Sequence, residues 1–118
     1  MAVGICGLDY TILDEVDRET QIKVFQAHFN LAEKFKLPMI FYIQESFDDF
    51  WKIVNENRKK FSSGVVHSFI GTEEQLKNVL SLDLYVGVSS STLQTEVSCN
   101  MIKNCPTDRL VLETDSPY

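Results

Sequence analysis

Short apolar segments alternate with longer amphipathic segments along the whole chain. Five apolar segments have the length of a buried strand: Ala2–Cys6, Pro38–Ile43, Gly64–Phe69, Leu84–Val88 and Arg109–Leu112. Segments in which apolar residues recur with the helical period separate these runs. The alternation predicts a series of βα units, in which parallel strands lie in chain order and the helices cover one face of the sheet.

Four helices are predicted between these strands. They cover about Thr20–Lys36, a segment that begins at Ser46, a segment that begins at Thr72, and about Thr95–Asn104. The first has one apolar stripe of Ile22, Phe25, Phe29 and Ala32 and a second of Val24, His28, Leu31 and Phe35, which predicts broad packing against a sheet. Ser46 with Asp49, and Thr72 with Gln75, have the spacing of a helix capping box.

Composition places the chain among ordinary globular proteins. Its 118 residues are enough for one domain, and 44% apolar with 24% charged residues argues against a disordered chain. No apolar run approaches the roughly 20 residues of a membrane span, so no membrane partner is expected. Three cysteines leave one unpaired in any disulfide scheme. We therefore expect reduced cysteines and an intracellular location, either cytoplasmic or nuclear.

The charge balance restricts how the chain could act on nucleic acid. Eleven lysines and arginines against 17 acidic residues give a formal net charge of −6. A protein that grips nucleic acid through a broad basic face has the opposite balance. Bound metal ions can still supply local positive charge to an acidic enzyme that cleaves phosphodiesters. A function on nucleic acid is therefore expected to be metal-centred.

Polar residues that follow the predicted strands are the candidates for chemistry, because ligands of parallel βα folds bind at the carboxyl ends of strands. His67 interrupts an apolar run and is either a core histidine bonded to a carbonyl group or a functional ligand. Asp115 and Asp9 are each either turn-forming residues or site residues. A run of three serines, Ser89–Ser91, follows the fourth strand.

Four blocks of the sequence resemble the TatD family of metal-dependent deoxyribonucleases, most closely its eukaryotic branch. They are Gly4–Tyr10, Leu37–Gln44, Gly64–Thr72 and Arg109–Tyr118, and they occur in the family's order and at spacings that the family uses. The second is similar to the family's Leu-Pro-Val-x-x-His-x-Arg strand, and the last is very close to the family's final strand signature. Together the blocks span nearly the whole chain.

The resemblance implies an α/β fold in which residues 1–118 form a single partial TatD-type domain. That domain corresponds to strands four to eight of a (β/α)₈ TIM barrel, with outer helices and a two-metal site at the carboxyl ends of the strands. We expect the chain to lack the first three strands, their His-x-His pair and the helices after the eighth strand. Such a partial barrel has open edges, which predicts self-association.

The resemblance assigns the family's metal ligands to positions that this chain only partly retains. His67 and Asp115 match ligand positions, whereas the metal-bridging glutamate falls on Ile5 and a histidine falls on Tyr42. Isoleucine has no donor atom, and a tyrosine phenol would have to ionise far below its usual pKa of about 10. Two such replacements are expected to weaken metal binding by roughly 10²–10⁴-fold.

Function follows from the resemblance in two alternative forms. The family hydrolyses phosphodiester bonds of DNA with divalent metal ions (Mg, Mn or Zn), and Asp9 with Gln44, where the family has arginine, are candidate residues on the substrate side. We therefore expect this chain to be such a deoxyribonuclease, with weak or absent metal binding and with impaired or no activity. The alternative is a catalytically dead remnant or a non-enzymatic binding protein. A further hypothesis is an open α/β domain that holds phosphate at Ser89–Ser91.

Overall fold

The computed structural model describes residues 1–117. Its strands are β1 (Val3–Asp9), β2 (Met39–Gln44), β3 (Gly64–Val66), β4 (Tyr85–Val88) and β5 (Leu110–Leu112). Its α-helices are α1 (Arg18–Phe35), α2 (Phe47–Glu56), α3 (Glu73–Ser81) and α4 (Glu96–Lys103). Each predicted strand and helix is present, with bounds that differ by a few residues. Within residues 1–117 no helix is long and apolar enough to cross a membrane.

The first of two compact units runs from Met1 to Gly64. In this unit β1 pairs in parallel with β2, which places Gly7 opposite Tyr42 and Asp9 opposite Gln44. The register shifts between Val3 and Cys6, so that the segment containing Ile5 is an irregular part of β1. The parallel pairing of consecutive strands confirms the βα arrangement predicted for this part of the chain.

Five phenylalanines form the core of the first unit. The rings belong to α1, β2, α2 and the segment before β3, and neighbouring centroids lie between 4.9 and 6.1 Å apart: Phe25, Phe29, Phe41, Phe50 and Phe61. The burial of Phe25, Phe29 and Ala32 confirms three positions of the first predicted stripe of α1, whereas Ile22 is half-buried. The prediction for the second stripe is wrong, because Val24, Leu31 and Phe35 are exposed. Only one face of α1 is covered in this unit.

The two predicted capping boxes have different outcomes. Thr72 accepts a hydrogen bond from the N–H of Gln75, whose side chain in turn accepts one from the N–H of Thr72, so this capping box is confirmed. Ser46 occupies the N-cap position of α2 but makes no side-chain cap. Its hydroxyl donates instead to the carbonyl oxygen of Leu8 at 2.7 Å. The hydroxyl hydrogen of Ser46 thus goes to a buried carbonyl near the end of β1, and the accepting role predicted for its oxygen is not observed.

The second compact unit begins at Val65. In it β3 pairs in parallel with β4, and β4 pairs in parallel with β5. The strand β3 ends earlier than predicted, because Ser68 turns the backbone with a φ of 47°. Its core lies between the sheet and α3 and α4 and contains Val66, Phe69, Leu76, Val79, Leu84 and Met101. All three strands run in the same direction, so their carboxyl ends meet at one edge.

Candidate functional site

His67 lies between two carboxylates at the carboxyl edge of the second unit. It directly follows β3, whereas Glu113 and Asp115 follow β5. The Nδ1 atom of His67 lies 2.7 Å from Oε2 of Glu113, and its Nε2 atom lies 2.7 Å from Oδ1 of Asp115. The structure therefore brings together His67 and Asp115, the two predicted ligands, and adds Glu113.

The protonation of His67 decides which of these contacts are hydrogen bonds. A neutral imidazole donates from one nitrogen only, so both carboxylates receive a hydrogen bond only from the imidazolium form. Burial lowers the pKa of His67, but the hydrogen bonds and negative charges of Glu113 and Asp115 outweigh it and raise the pKa above its ordinary value. The exposed fractions of the three side chains are 13% for His67, 19% for Glu113 and 43% for Asp115. Glu113 is consequently the better shielded of the two partners.

Glu113 is held in place by backbone groups as well as by His67. Its Oε1 atom accepts a hydrogen bond from the backbone N–H of Ser68, so its two oxygens bond to consecutive residues after β3. Gly87 in β4 provides the space, since a Cβ atom there would clash with the Glu113 carboxylate and lie 2.9 Å from the carbonyl oxygen of Val66. The sequence interpretation did not assign Glu113 to the site. The available signal was its two-residue spacing from Asp115, which places both on one face of an extended segment.

Two serines complete the polar surroundings of His67. The hydroxyl of Ser68 donates to Oγ of Ser89 at 2.7 Å and lies 3.4 Å from Oδ2 of Asp115. The backbone N–H of Ser89 donates to Oγ1 of Thr92, and the N–H of Thr92 donates back to the carbonyl of Ser89. The backbone N–H of Ser89, the first of the three serines, is therefore already used within a turn with Thr92. This argues against the hypothesis that Ser89–Ser91 holds phosphate.

The remaining candidate residues belong to the first unit. Asp9 caps the short helical turn Tyr10–Ile12 by accepting from the N–H of Thr11 at 2.9 Å, which is the turn-forming alternative considered for it. Gln44 ends β2 opposite Asp9. The side chain of Ile5 is 59% exposed and offers no donor atom. Tyr42 is half-buried in the middle of β2.

The comparisons with known proteins agree on one family. The sequence model of the TatD related DNases matches residues 1–118, which is the whole chain. The chain belongs to the TatD family. A crystal structure of a TatD-family hydrolase from Entamoeba histolytica is 36% identical and superposes with a TM-score of 0.91 over 99% of this chain. The fold is accordingly a partial TIM barrel of parallel strands with outer helices.

The TatD relatives are considerably longer than this chain. A protein of Schizosaccharomyces pombe named deoxyribonuclease Tat-D is 30% identical over 119 residues, which cover 100% of this chain and 38% of the relative. An uncharacterized metal-dependent hydrolase of Buchnera aphidicola is 33% identical, with 100% of this chain and 45% of the relative covered. The match to the Entamoeba structure covers 39% of that protein. The chain thus spans about two-fifths of the length of these proteins.

The metal use implied by the TatD family can be compared with the donors present. A histidine whose Nδ1 is held by a carboxylate and whose Nε2 faces a second carboxylate is a common arrangement around a protein-bound metal. Nε2 of His67 and the carboxylate of Asp115 are two donors of the kinds that bind divalent cations, and Glu113 is placed to orient the ring. The described residues contain no group of three or more histidine, cysteine or acidic side chains arranged to hold a metal ion. This donor set does not fit a pair of metal ions.

Proposed function

We propose that this chain is part of a TatD-type metal-dependent hydrolase of DNA phosphodiester bonds, with an impaired metal site. The observation that supports the proposal is the position of His67 between Glu113 and Asp115. The family membership and the names of the relatives supply the reaction class.

Each residue of the second unit has a distinct role in this proposal. Glu113 accepts from Nδ1 of His67 and keeps the ring in one orientation. The Nε2 atom of His67 and the carboxylate of Asp115 are the donors toward a divalent cation, which would be Mg²⁺, Mn²⁺ or Zn²⁺. Such a cation, when bound, polarises a phosphoryl oxygen or lowers the pKa of a bound water. Ser68 donates to Ser89 and holds a hydroxyl beside the Asp115 carboxylate.

Two substituted positions in the first unit support the impairment. The family's glutamate and histidine are replaced by Ile5 and Tyr42, so the chain supplies two metal ligands where a two-ion mechanism needs more. We expect weak metal binding and DNA cleavage below detection for the chain alone. These substitutions also favour a second candidate function, a non-enzymatic binding protein that has kept the TatD fold.

A nuclease assay with matched histidine variants tests the proposal. The chain, His67→Ala and His28→Ala are incubated with single-stranded DNA and about 1 mM Mn²⁺ or Mg²⁺. His28 is the matched control because its Nδ1 atom lies 2.8 Å from the carbonyl oxygen of Val24 within α1. Metal-dependent cleavage that His67→Ala abolishes and His28→Ala retains would show that the site is not impaired.

Restoration of the substituted ligands separates the two candidate functions. Ile5→Glu combined with Tyr42→His returns two family ligands to the chain. An impaired hydrolase should then gain metal affinity, measured by calorimetric titration, without recovering full nuclease activity. A chain that gains no metal affinity fits the non-enzymatic function instead. The single change Ile5→Gln is the control for altered packing at this exposed position.

We also propose that the isolated chain self-associates through β5. Leu112 is 86% exposed and Val111 is 40% exposed on this strand, which is a hydrophobic surface on a short parallel strand. Sedimentation analysis of the chain and of Leu112→Lys should show a shift toward monomer in the variant. An equal distribution of species in both proteins would contradict the proposed surface.

An intracellular site of action is the last part of the proposal. Cys6, Cys99 and Cys105 are all free thiols, and burial raises the pKa of Cys6 to about 12. A thiol this far from ionisation is a poor nucleophile for disulfide exchange. Three free thiols, one of them the inert Cys6, are the pattern expected of a protein in a reducing compartment.

A further inference from the structure

A cavity of about 250 Å³ lies in the first unit, apart from every residue discussed above as a site residue. Its lining consists of Glu33, Lys36, Lys59, Lys60, Phe61 and Ser62. These residues come from the end of α1 and from the segment between α2 and β3, which includes the short helical turn Arg58–Lys60. Both segments precede strands, so the cavity lies at the amino ends of the strands, whereas the candidate metal ligands follow strands.

The cavity is positively charged in an acidic protein. Three lysines and one glutamate give its lining a formal charge of +2, against −6 for the whole chain. Within residues 1–117, neither Lys36 nor Lys59 has a carboxylate within 4 Å. Lys60 donates to the neutral side chain of Asn30 at 3.3 Å. Glu33 is the one acidic residue among the lining residues, so the lining keeps a net positive charge that would attract an anion.

The backbone that carries these lysines is fixed by strong local contacts. The guanidinium of Arg58 lies 4.6 Å from the centre of the Phe61 ring and donates to the carbonyl of Phe61 at 2.8 Å. The same group lies 3.4 Å from the carbonyl oxygen of Ser62. The ring of Phe61 is part of the phenylalanine core. Lys36 is the left-handed C-cap of α1 and donates its N–H to Ala32. The backbone of the two walls is therefore well fixed, whereas the side chains of Lys36 and Lys59 are exposed.

We propose that this cavity binds a phosphate dianion, either inorganic phosphate or the terminal phosphate of a small organic monoester. A phosphomonoester carries a charge of about −1.5 to −2 at pH 7, which matches the +2 of the lining. Lysine ammonium groups and the exposed hydroxyl of Ser62 supply hydrogen-bond donors for its oxygens. The net positive charge of the lining attracts a dianion more strongly than a single carboxylate, and Glu33 reduces the attraction for both. The volume admits a phosphate with a small attached group and is below the roughly 300–1,000 Å³ of cavities for larger ligands.

Titration of the chain with two phosphate probes tests this proposal. Inorganic phosphate and adenosine 5′-monophosphate are added at constant ionic strength kept with chloride, and binding is followed by calorimetry and by shifts of backbone amide resonances. Lys36→Gln and Lys59→Gln should each weaken binding by about fivefold to tenfold, and their combination more than either. Lys77→Gln, an exposed lysine on α3, is the charge-matched control and should bind as the unmodified chain does.

The two probes distinguish the source of the phosphate. Saturable binding of inorganic phosphate alone supports a site for the free ion, and tighter binding of the nucleotide supports a site for an organic monoester. Lys59→Arg should retain binding, since it keeps the charge. Absence of saturable binding, or equal affinity in the unmodified chain and in the Lys36→Gln/Lys59→Gln double variant, would overturn the proposal. His67→Ala should bind phosphate normally, so failure of the proposed hydrolase function leaves this result independent.

Discussion

Replacement of Glu113 by glutamine removes one negative charge from the histidine cluster and keeps the size of the side chain. The carboxylate accepts from Nδ1 of His67 through one oxygen and from the N–H of Ser68 through the other. An amide has only one accepting oxygen, so glutamine can satisfy one of these donors and presents its own N–H₂ to the other. We expect the loss to fall on the contact with His67.

The size of the destabilisation expected for Glu113→Gln follows from the burial and the charge of the His67–Glu113 contact. A hydrogen bond to a charged group contributes about 1.5–3 kcal/mol, and the His67 and Glu113 side chains are only 13% and 19% exposed, so screening by solvent is limited. Glu113→Gln should therefore lower the free energy of unfolding by about 1.5–3 kcal/mol at pH 5.5. Most small domains have about 5–15 kcal/mol in total, so the effect is large enough to measure.

The loss of unfolding free energy caused by Glu113→Gln should be larger at low pH than at high pH. The pKa of His67 is raised in the folded chain, so the stabilisation from its charged form is fully present below the unfolded pKa of about 6.5 and is lost as pH rises through the folded pKa. Neutral His67 can still donate from Nδ1 to the Glu113 carboxylate, but the attraction between two opposite charges is lost. The cost of Glu113→Gln should accordingly be smaller at pH 9 than at pH 5.5.

Urea unfolding at the two pH values measures this difference, and a histidine NMR titration measures the pKa of His67 in both proteins. Glu113→Gln should lower that pKa, because the variant loses the charge and hydrogen bond that raise it. Glu74→Gln, an exposed acid in the first turn of α3, is the control for a general loss of negative charge. An equal cost at pH 5.5 and pH 9, with an unchanged pKa of His67, would refute the reasoning.

Three further outcomes follow from the same structure. Hydrogen bonding from Tyr10 lowers the pKa of Asp49, so Asp49→Asn should destabilise the chain at pH 7. This destabilisation should disappear as the pH falls through the pKa of Asp49 in the folded chain. Urea unfolding measures it, with Asp48→Asn as the control. Phe41→Ala should cost about 3–5 kcal/mol, because the ring is fully buried among four others, and a thermal melt within a degree of the unmodified chain would contradict this. Zn²⁺ titrations should give tighter binding at pH 8 than at pH 6, because Nε2 of His67 must lose its proton, and His67→Ala should show no such difference.

The strands and helices were predictable because their patterns are local. Helical spacing of Phe25, Phe29 and Ala32 identified the buried face of α1, and Thr72 with Gln75 identified the start of α3. Ser46 shows the limit of such patterns, since its hydroxyl donates to the carbonyl of Leu8, 38 residues earlier in the chain, and no local rule reveals that partner.

The candidate site was predictable only in part, for the same reason. His67 and Asp115 were identified through family motifs, but the contact between them spans 48 residues. Glu113 contacts Nδ1 of His67, the ring nitrogen that does not face Asp115. Its carboxylate can lie there only because Gly87 has no side chain. That space is set by the register of β4 against its neighbours, which the sequence of any one strand does not contain.

The absent side chain at Gly87 makes the effects of two distant positions depend on each other. The Glu113 carboxylate occupies the space that any larger residue at position 87 would need, so the two positions compete for one volume. Alanine at 87 should be most harmful beside glutamate and less so beside glycine or alanine at 113, where only the close approach to the carbonyl oxygen of Val66 remains. Evolutionary routes that enlarge residue 87 are therefore easier after residue 113 has been shortened, and the reverse order passes through an intermediate with both clashes.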